Sequence, residues 1–131
     1  MNSRLPNDIY RQCTLIAKSY YAMLQRRKEL TEKILYSTPP LDSQSKSTEI
    51  GNPTALKAEK LICLQMRNDF KIKAVEQAWA RMPDTTAREF VRLNLFEGIQ
   101  MHYINLPLSI RTMKRLRGQY ILYLAEALGE N

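Results

Sequence analysis

From Pro53 to Arg81 the chain runs for nearly thirty residues without a glycine or a second proline. Along it the side chains Leu61, Leu64, Ile72, Val75, Trp79 and Met82 return at spacings of three and four, with Asn68 as the one polar member of the stripe. That period is the repeat of one helix face and not the alternation of a strand. The spacing predicts a helix from Pro53 to about Arg81. Asn52 offers its cap, and Pro53 suits the first helical position, where a missing N–H is no loss. Met82 and Pro83 end it.

The same punctuation divides the rest of the chain. Pro6 restricts the approach to a first helix, which Asn7 or Asp8 can cap. Ile9, Cys13, Ile16, Ala17, Tyr20 and Leu24 form its stripe, and it fades near Tyr36. "STPPLDSQSKSTEIGN", residues 37–52, has no periodic apolar residues and two consecutive prolines, the composition of a flexible linker. Residues 1–82 therefore read as an N-terminal helical hairpin with a linker over 37–52. "PDTTAREF" starts a further helix, capped by Asp84 or Thr85 and stopped at Gly98. "IQMHYINL" reads as a short helical piece, Pro107 as a break, and Ser109 as the cap of a last helix reaching Leu128, with Gly129 as its stop. With only 4 glycines and no alternating β-branched runs, the expected class is all-α. The order over 83–131 (helix, short helix, tight turn, long helix) is the layout of a helix-turn-helix.

Charge adds a second constraint. The chain carries 20 Lys and Arg against 13 Asp and Glu, a net charge of +7, and a basic protein attracts polyanions. The excess is sorted. From Gly98 to Ala125 lie four cations, Arg111, Lys114, Arg115 and Arg117, and no carboxylate; the nearest acids are Glu97 and Glu126. Cations at a helix start oppose the helix dipole, so the pattern favours an anionic partner over the alternative, the solvated polar face of a surface helix. The free amides of a helix N-terminus and the Ser109 hydroxyl suit a phosphate. Arg and Lys in the following turns reach phosphates or the N7 and O6 of guanine. Met113, Leu116, Tyr120, Leu124 and Leu128 share the core-facing side, while Arg111, Lys114 and Arg115 lie together at i, i+3 and i+4. The candidate DNA-contacting residues are Ser109, Arg111, Thr112, Lys114, Arg115 and Arg117.

Other chemistry is poorly provided for. Cys13 and Cys63 lie far apart and His102 is the only histidine, so four zinc ligands cannot be assembled, and no metal or cofactor is expected. Both thiols are expected buried and reduced. His102 has no second base or nucleophile near it in the pattern, which gives it a structural or surface role and the chain no enzymatic one. No stretch approaches the roughly 18 apolar residues of a membrane span, and "MNSRLPNDIYRQ" has no apolar signal core, so a cytoplasmic protein of a bacterial host is expected. Trp79, Phe90 and Phe96 read as core. Tyr10, Tyr20, Tyr21 and Tyr36 line the first helix and serve packing or an interface.

In the order of its features the chain resembles phage and prophage transcriptional regulators of the ArpU and RinA kind, whose C-terminal part is similar to region 4 of sigma factors. The resemblance is carried by "GNPTALKAEKL", "AVEQAWARMPDTTAREFVRLNLFEG" and "LPLSIRTMKRLRGQYILYLAEALG". Ser109, Thr112, Lys114 and Arg115 match the opening of that family's recognition helix, and "LAEALG" its usual ending. The resemblance implies promoter binding and control of late or packaging genes. Two positions depart from the pattern: Tyr103 stands where a small residue is usual, and Pro107 where a glycine is usual. The competing reading is a helical adaptor that binds a protein such as RNA polymerase, a recombinase or a packaging enzyme. In either case the two long N-terminal helices exceed what a short C-terminal unit can cover. That predicts a homodimer or larger oligomer through residues 8–36 and 53–81.

Overall fold

The structure, a computed structural model, describes residues 5–37 and 53–130, and every regular element among them is helical. The all-α class holds. The linker expected over 37–52, apart from Ser37, and the Asn52 cap lie outside the described residues.

Helix α3 spans Pro53–Ala80, with Pro53 at its first position. The single helix expected before it is two: α1 at Asn7–Lys18 and α2 at Tyr20–Ser37. The break is at Ser19. Its N–H donates to the carbonyls of Leu15 (3.0 Å) and Ile16 (3.1 Å), and its hydroxyl donates to Leu15 again at 2.7 Å. A serine hydroxyl on the carbonyl four residues back bends a helix. Because Ser19 lies between apolar positions of the stripe, the spacing does not mark it. Nor is α1 capped by Asn7 or Asp8. Pro6 precedes its first residue without a side-chain cap, and the Asp8 carboxylate accepts from the N–H of Ile9 at 3.0 Å.

Helix α4 covers Thr85–Val91 and is capped by Asp84, whose Oδ1 accepts from the N–H of Ala87 at 2.8 Å. It widens into a π-helical turn over Arg92–Phe96, where the N–H of Glu97 reaches five residues back to Arg92 at 2.9 Å. Gly98, at φ 73°, supplies the left-handed residue that stops it. Helix α5 covers Ile110–Leu128. Ser109 caps it, its Oγ accepting from the N–H of Thr112 at 3.1 Å. At the other end Gly129 is at φ 81°, and the N–H of Glu130 bonds to Ala125 at 2.8 Å while that of Gly129 bonds to Glu126 at 3.1 Å. This is the paired closure of a glycine-ended helix.

The segment before α5 differs from expectation. "IQMHYINL" forms one 3-10 turn, Met101–Tyr103, flanked by Gln100 (φ −67°, ψ 147°) and Ile104 (φ −87°, ψ 123°) in extended conformation. The first helix of the expected helix-turn-helix is reduced to this single turn, and residues 104–109 connect it to α5. No side chain caps the 3-10 turn, and Pro107 disfavours helix in the residue before it.

The described residues fall into two compact units. One holds α1, residues 71–80 of α3, α4 and α5; the other holds α2 from Ala22 and α3 as far as Phe70. The division expected at residue 82 thus lies inside the first unit. Seven residues of α4 cannot enclose a core, and α4 and α1 both pack on α5. That core is built from Tyr120, Ile121 and Leu124 with Phe90, Val91, Leu95 and Cys13, all essentially inaccessible. Each such large apolar side chain contributes about 1.5–3 kcal/mol by leaving water. The Tyr120 hydroxyl donates to the carbonyl of Val75 at 3.1 Å, and burial pushes its ionisation well above the usual phenol range. The Phe96 ring lies tilted 4.7 Å from that of Tyr20 and edge-on 6.2 Å from that of Tyr120, between centroids. Trp79 is half-buried, its Nε1 donating to the carbonyl of Arg88 at 2.9 Å.

In the other unit Met23 and Leu30 are buried, and the buried Asn68 amide donates to the carbonyl of Met23 at 2.9 Å. The polar member of the α3 stripe therefore satisfies a backbone group. Leu64, expected on the same stripe, is exposed.

Candidate functional site

Helix α5 puts its apolar and cationic positions on separate sides, as the spacing predicts. Met113, Leu116, Tyr120 and Leu124 are buried; Arg111, Lys114 and Arg115 are exposed; Thr112, Arg117 and Leu128 are half-buried. Ser109 and Thr112 are engaged with each other. Besides the cap, the Ser109 hydroxyl donates to Thr112 Oγ1 at 3.0 Å. Their first role is to start the helix and aim its first turn.

The acids nearest in sequence serve other cations. Glu126 pairs with Arg81 at 2.7 Å, and the Arg81 guanidinium lies 3.9 Å from the centre of the Tyr123 ring. Glu97 pairs with Arg92 and accepts from the Tyr21 hydroxyl at 3.2 Å. Arg92 also pairs with Glu89, and the hydrogen bond from Arg92 holds the Glu89 carboxyl below the usual range. Among the described residues Lys18, Arg111, Lys114 and Arg115 have no ion pair.

Two of these cations, Lys18 and Lys114, border a groove. A cavity of about 500 Å³ opens between the end of α1, the loop after Gly98 and the first half of α5. Lys18, Lys114 and Arg117 line it with Gln100 and His102, and no carboxylate does. Lys18 lies in the last turn of α1, where a cation is favoured by the helix dipole. Arg117 is held by Asn94, whose Oδ1 accepts from Nη1 at 3.5 Å. The Asn94 amide donates in turn to the carbonyl of Ile99 at 2.9 Å, and Asn94 is 6% exposed. One buried amide thus ties the loop wall of the groove to a cation on α5. The arrangement suits an anion with several oxygens, since three cations and a helix start converge without a competing acid.

Of the predicted site residues, Lys114 and Arg117 line the groove, while Arg111 and Arg115 are exposed on the same helix. Lys18 and Asn94 escaped the sequence reading. Lys18 is separated from Lys114 by most of the chain, and only the packing of α1 on α5 unites them. Asn94 did carry a signal, as the one polar residue between Leu93 and Leu95 in an otherwise apolar run. Cys63, expected buried, is exposed, whereas Cys13 is buried as expected. No group of three or more potential metal-ligating side chains occurs among the described residues, and none of their helices is long and apolar enough to cross a membrane.

In comparisons with known proteins, no family model, no curated protein and no solved structure matches this chain.

Proposed function

We propose that this protein is a sequence-specific duplex DNA-binding regulator of phage or prophage type, acting in the cytoplasm on late or packaging genes, and that the first half of α5 is its DNA contact. The observation that carries the reading is the carboxylate-free groove of Lys18, Lys114 and Arg117, continued by unpaired Arg111 and Arg115. A duplex presents a phosphate every few ångströms, and each one neutralised releases counterions. Ser109 and Thr112 fix the helix start, Arg111, Lys114 and Arg115 meet phosphates or base edges, and Arg117 is set by Asn94. With the first helix of a helix-turn-helix reduced to one 3-10 turn, duplex docking relies on the cations of α5 and on Lys18. The order of features shared with ArpU- and RinA-type regulators supports the same reading.

The test is binding to duplex DNA across a salt series. Log affinity should fall with log salt by about one unit per phosphate contact. Alanine at Arg111, Lys114 and Arg115 together should flatten that slope and weaken binding, with little change in stability, because all three side chains are exposed. A triple variant that binds as the wild type does at the same salt refutes the reading.

The adaptor reading keeps one observation of its own. Leu35, Leu56, Met66 and Phe70 are each more than half exposed, and exposed apolar clusters mark protein contacts. Wild-type protein that ignores duplex DNA at every salt, yet is retained by a protein partner, establishes it.

A further inference from the structure

Beside the basic groove is an aromatic pair that duplex binding does not use. Tyr103 is 73% exposed. Its ring lies 4.5 Å from that of His102, which lines the groove, at an interplanar angle of 45°. The pair is not a loose end of chain. The N–H of Tyr103 donates to Gln100 at 2.9 Å and that of Ile104 to Met101 at 3.1 Å, and Ile104 is buried at 8% exposure. The anchored Ile104 holds the turn while the tyrosine next to it projects into solvent. The Tyr103 ring meets the ring of His102 and leaves most of its surface to water.

An aromatic face beside a cationic groove is the chemistry that holds an unpaired nucleotide: the base stacks on the ring while the phosphate sits among the cations. A paired base cannot do this, because both its faces are covered within the duplex. The groove, at about 500 Å³, falls within the range of about 300–1,000 Å³ typical of small-ligand sites. Resting on the nucleic-acid reading of α5, we propose that the groove captures an unpaired nucleotide, with its phosphate on Lys18, Lys114 and Arg117 and its base on Tyr103 and His102. The protein then grips opened or single-stranded nucleic acid in addition to duplex.

Full-length protein is titrated at one low salt with fluorescent probes about twelve nucleotides long, within the span of known single-strand sites: a deoxythymidine strand, a uridine strand and a duplex. Both single strands should bind, and Tyr103→Ala should weaken that binding roughly 5- to 150-fold, the effect of one lost stack. Duplex affinity should stay within about twofold, and Tyr103→Trp should bind single strands at least as well as wild type. A deoxyuridine strand is compared with the uridine strand so that only the sugar differs: tighter binding of the deoxyuridine strand names DNA as the source of the nucleotide, and tighter binding of the uridine strand names RNA through its 2′-hydroxyl. The exposed position of Tyr103 leaves the core intact in both variants. Failure of wild type to bind either strand, no effect of Tyr103→Ala on strands, or an equal loss on strand and duplex overturns the proposal. Lys18→Ala with Lys114→Ala separates the two levels. If that pair weakens duplex binding while Tyr103→Ala changes nothing, the DNA reading stands and the stacking site falls; if neither variant changes any affinity, both fall.

Discussion

Asn94 shows how one side chain can set a site. Its amide is buried, so each of its polar ends needs a partner, and the partners present are a loop carbonyl and the guanidinium of Arg117. The same logic of burial separates the two cysteines. Cys13 is 1% exposed, and its thiol is pushed up by burial, with a smaller push from the Glu130 carboxylate. Cys63 is exposed on α3. Thiolate is the reacting form, so Cys13 is doubly protected, by access and by ionisation. Maleimide at neutral pH should label one thiol per native chain rapidly, and Cys63→Ser should remove that label. The second thiol should react only in denaturant. Two fast labels on the native chain would contradict the packing of α1 on α5. In the sequence Cys13 sits on an apolar stripe and Cys63 lies between two members of another, Leu61 and Leu64, and such a pattern cannot tell a covered face from an uncovered one.

At the scale of the elements, helix ends other than the start of α1 were legible because their chemistry is local. Asp84 and Ser109 accept from amides three residues on, Pro53 opens α3, and Gly98 and Gly129 take positive φ. Each is a contact within a few residues, which a sequence displays directly. Interruptions were not legible. One helix becomes two at Ser19, where ψ is 7°, and its hydroxyl bond to Leu15 is one that Thr14 makes to Tyr10 within an unbroken helix. The π-helical turn at Arg92–Phe96 leaves the apolar content of its segment unchanged. The short helix expected before α5 had suitable residues but no cap, and it shrank to a single 3-10 turn. The groove depends on the second group of features: it is walled by the loop that replaced that helix. Helix α5 itself carries one weak position. Gly118 is helical, and a Cβ built there meets nothing within 4 Å. Alanine removes the backbone entropy that glycine loses on folding, without a clash, so Gly118→Ala should raise stability by about 0.5–1 kcal/mol. Urea unfolding followed by circular dichroism reads this as a higher midpoint at unchanged slope. A lower midpoint would reveal close packing at Gly118.

For the whole molecule, the unit formed by α2 and the first part of α3 poses the largest question. Its buried apolar residues include Met23 and Leu30, while Leu35, Leu56, Ile62, Met66 and Phe70 face water, from 43% to 67% exposed. Single exposed leucines are ordinary, but these five, with Leu64 and Tyr36 exposed on the same small unit, are the mark of a covered surface. A second copy of this chain is the occupant that the proposed DNA reading favours. A two-fold dimer uses the same patch twice and gives two α5 helices per particle, which suits a symmetric DNA site. The dimer should also be tighter on DNA than one copy, because the second helix binds at an effective concentration set by the first. Light scattering at tens of micromolar should therefore return about twice the chain mass of 15.3 kDa. Met66→Glu with Phe70→Glu places two charges in the patch. Desolvating unpaired charge is unfavourable, so that variant should fall to a monomer while remaining helical, and should lose affinity for a two-site duplex far more than for a single site. A wild-type monomer at that concentration would sink the dimer. A Met66→Glu, Phe70→Glu variant that stays dimeric would place the interface elsewhere on the chain.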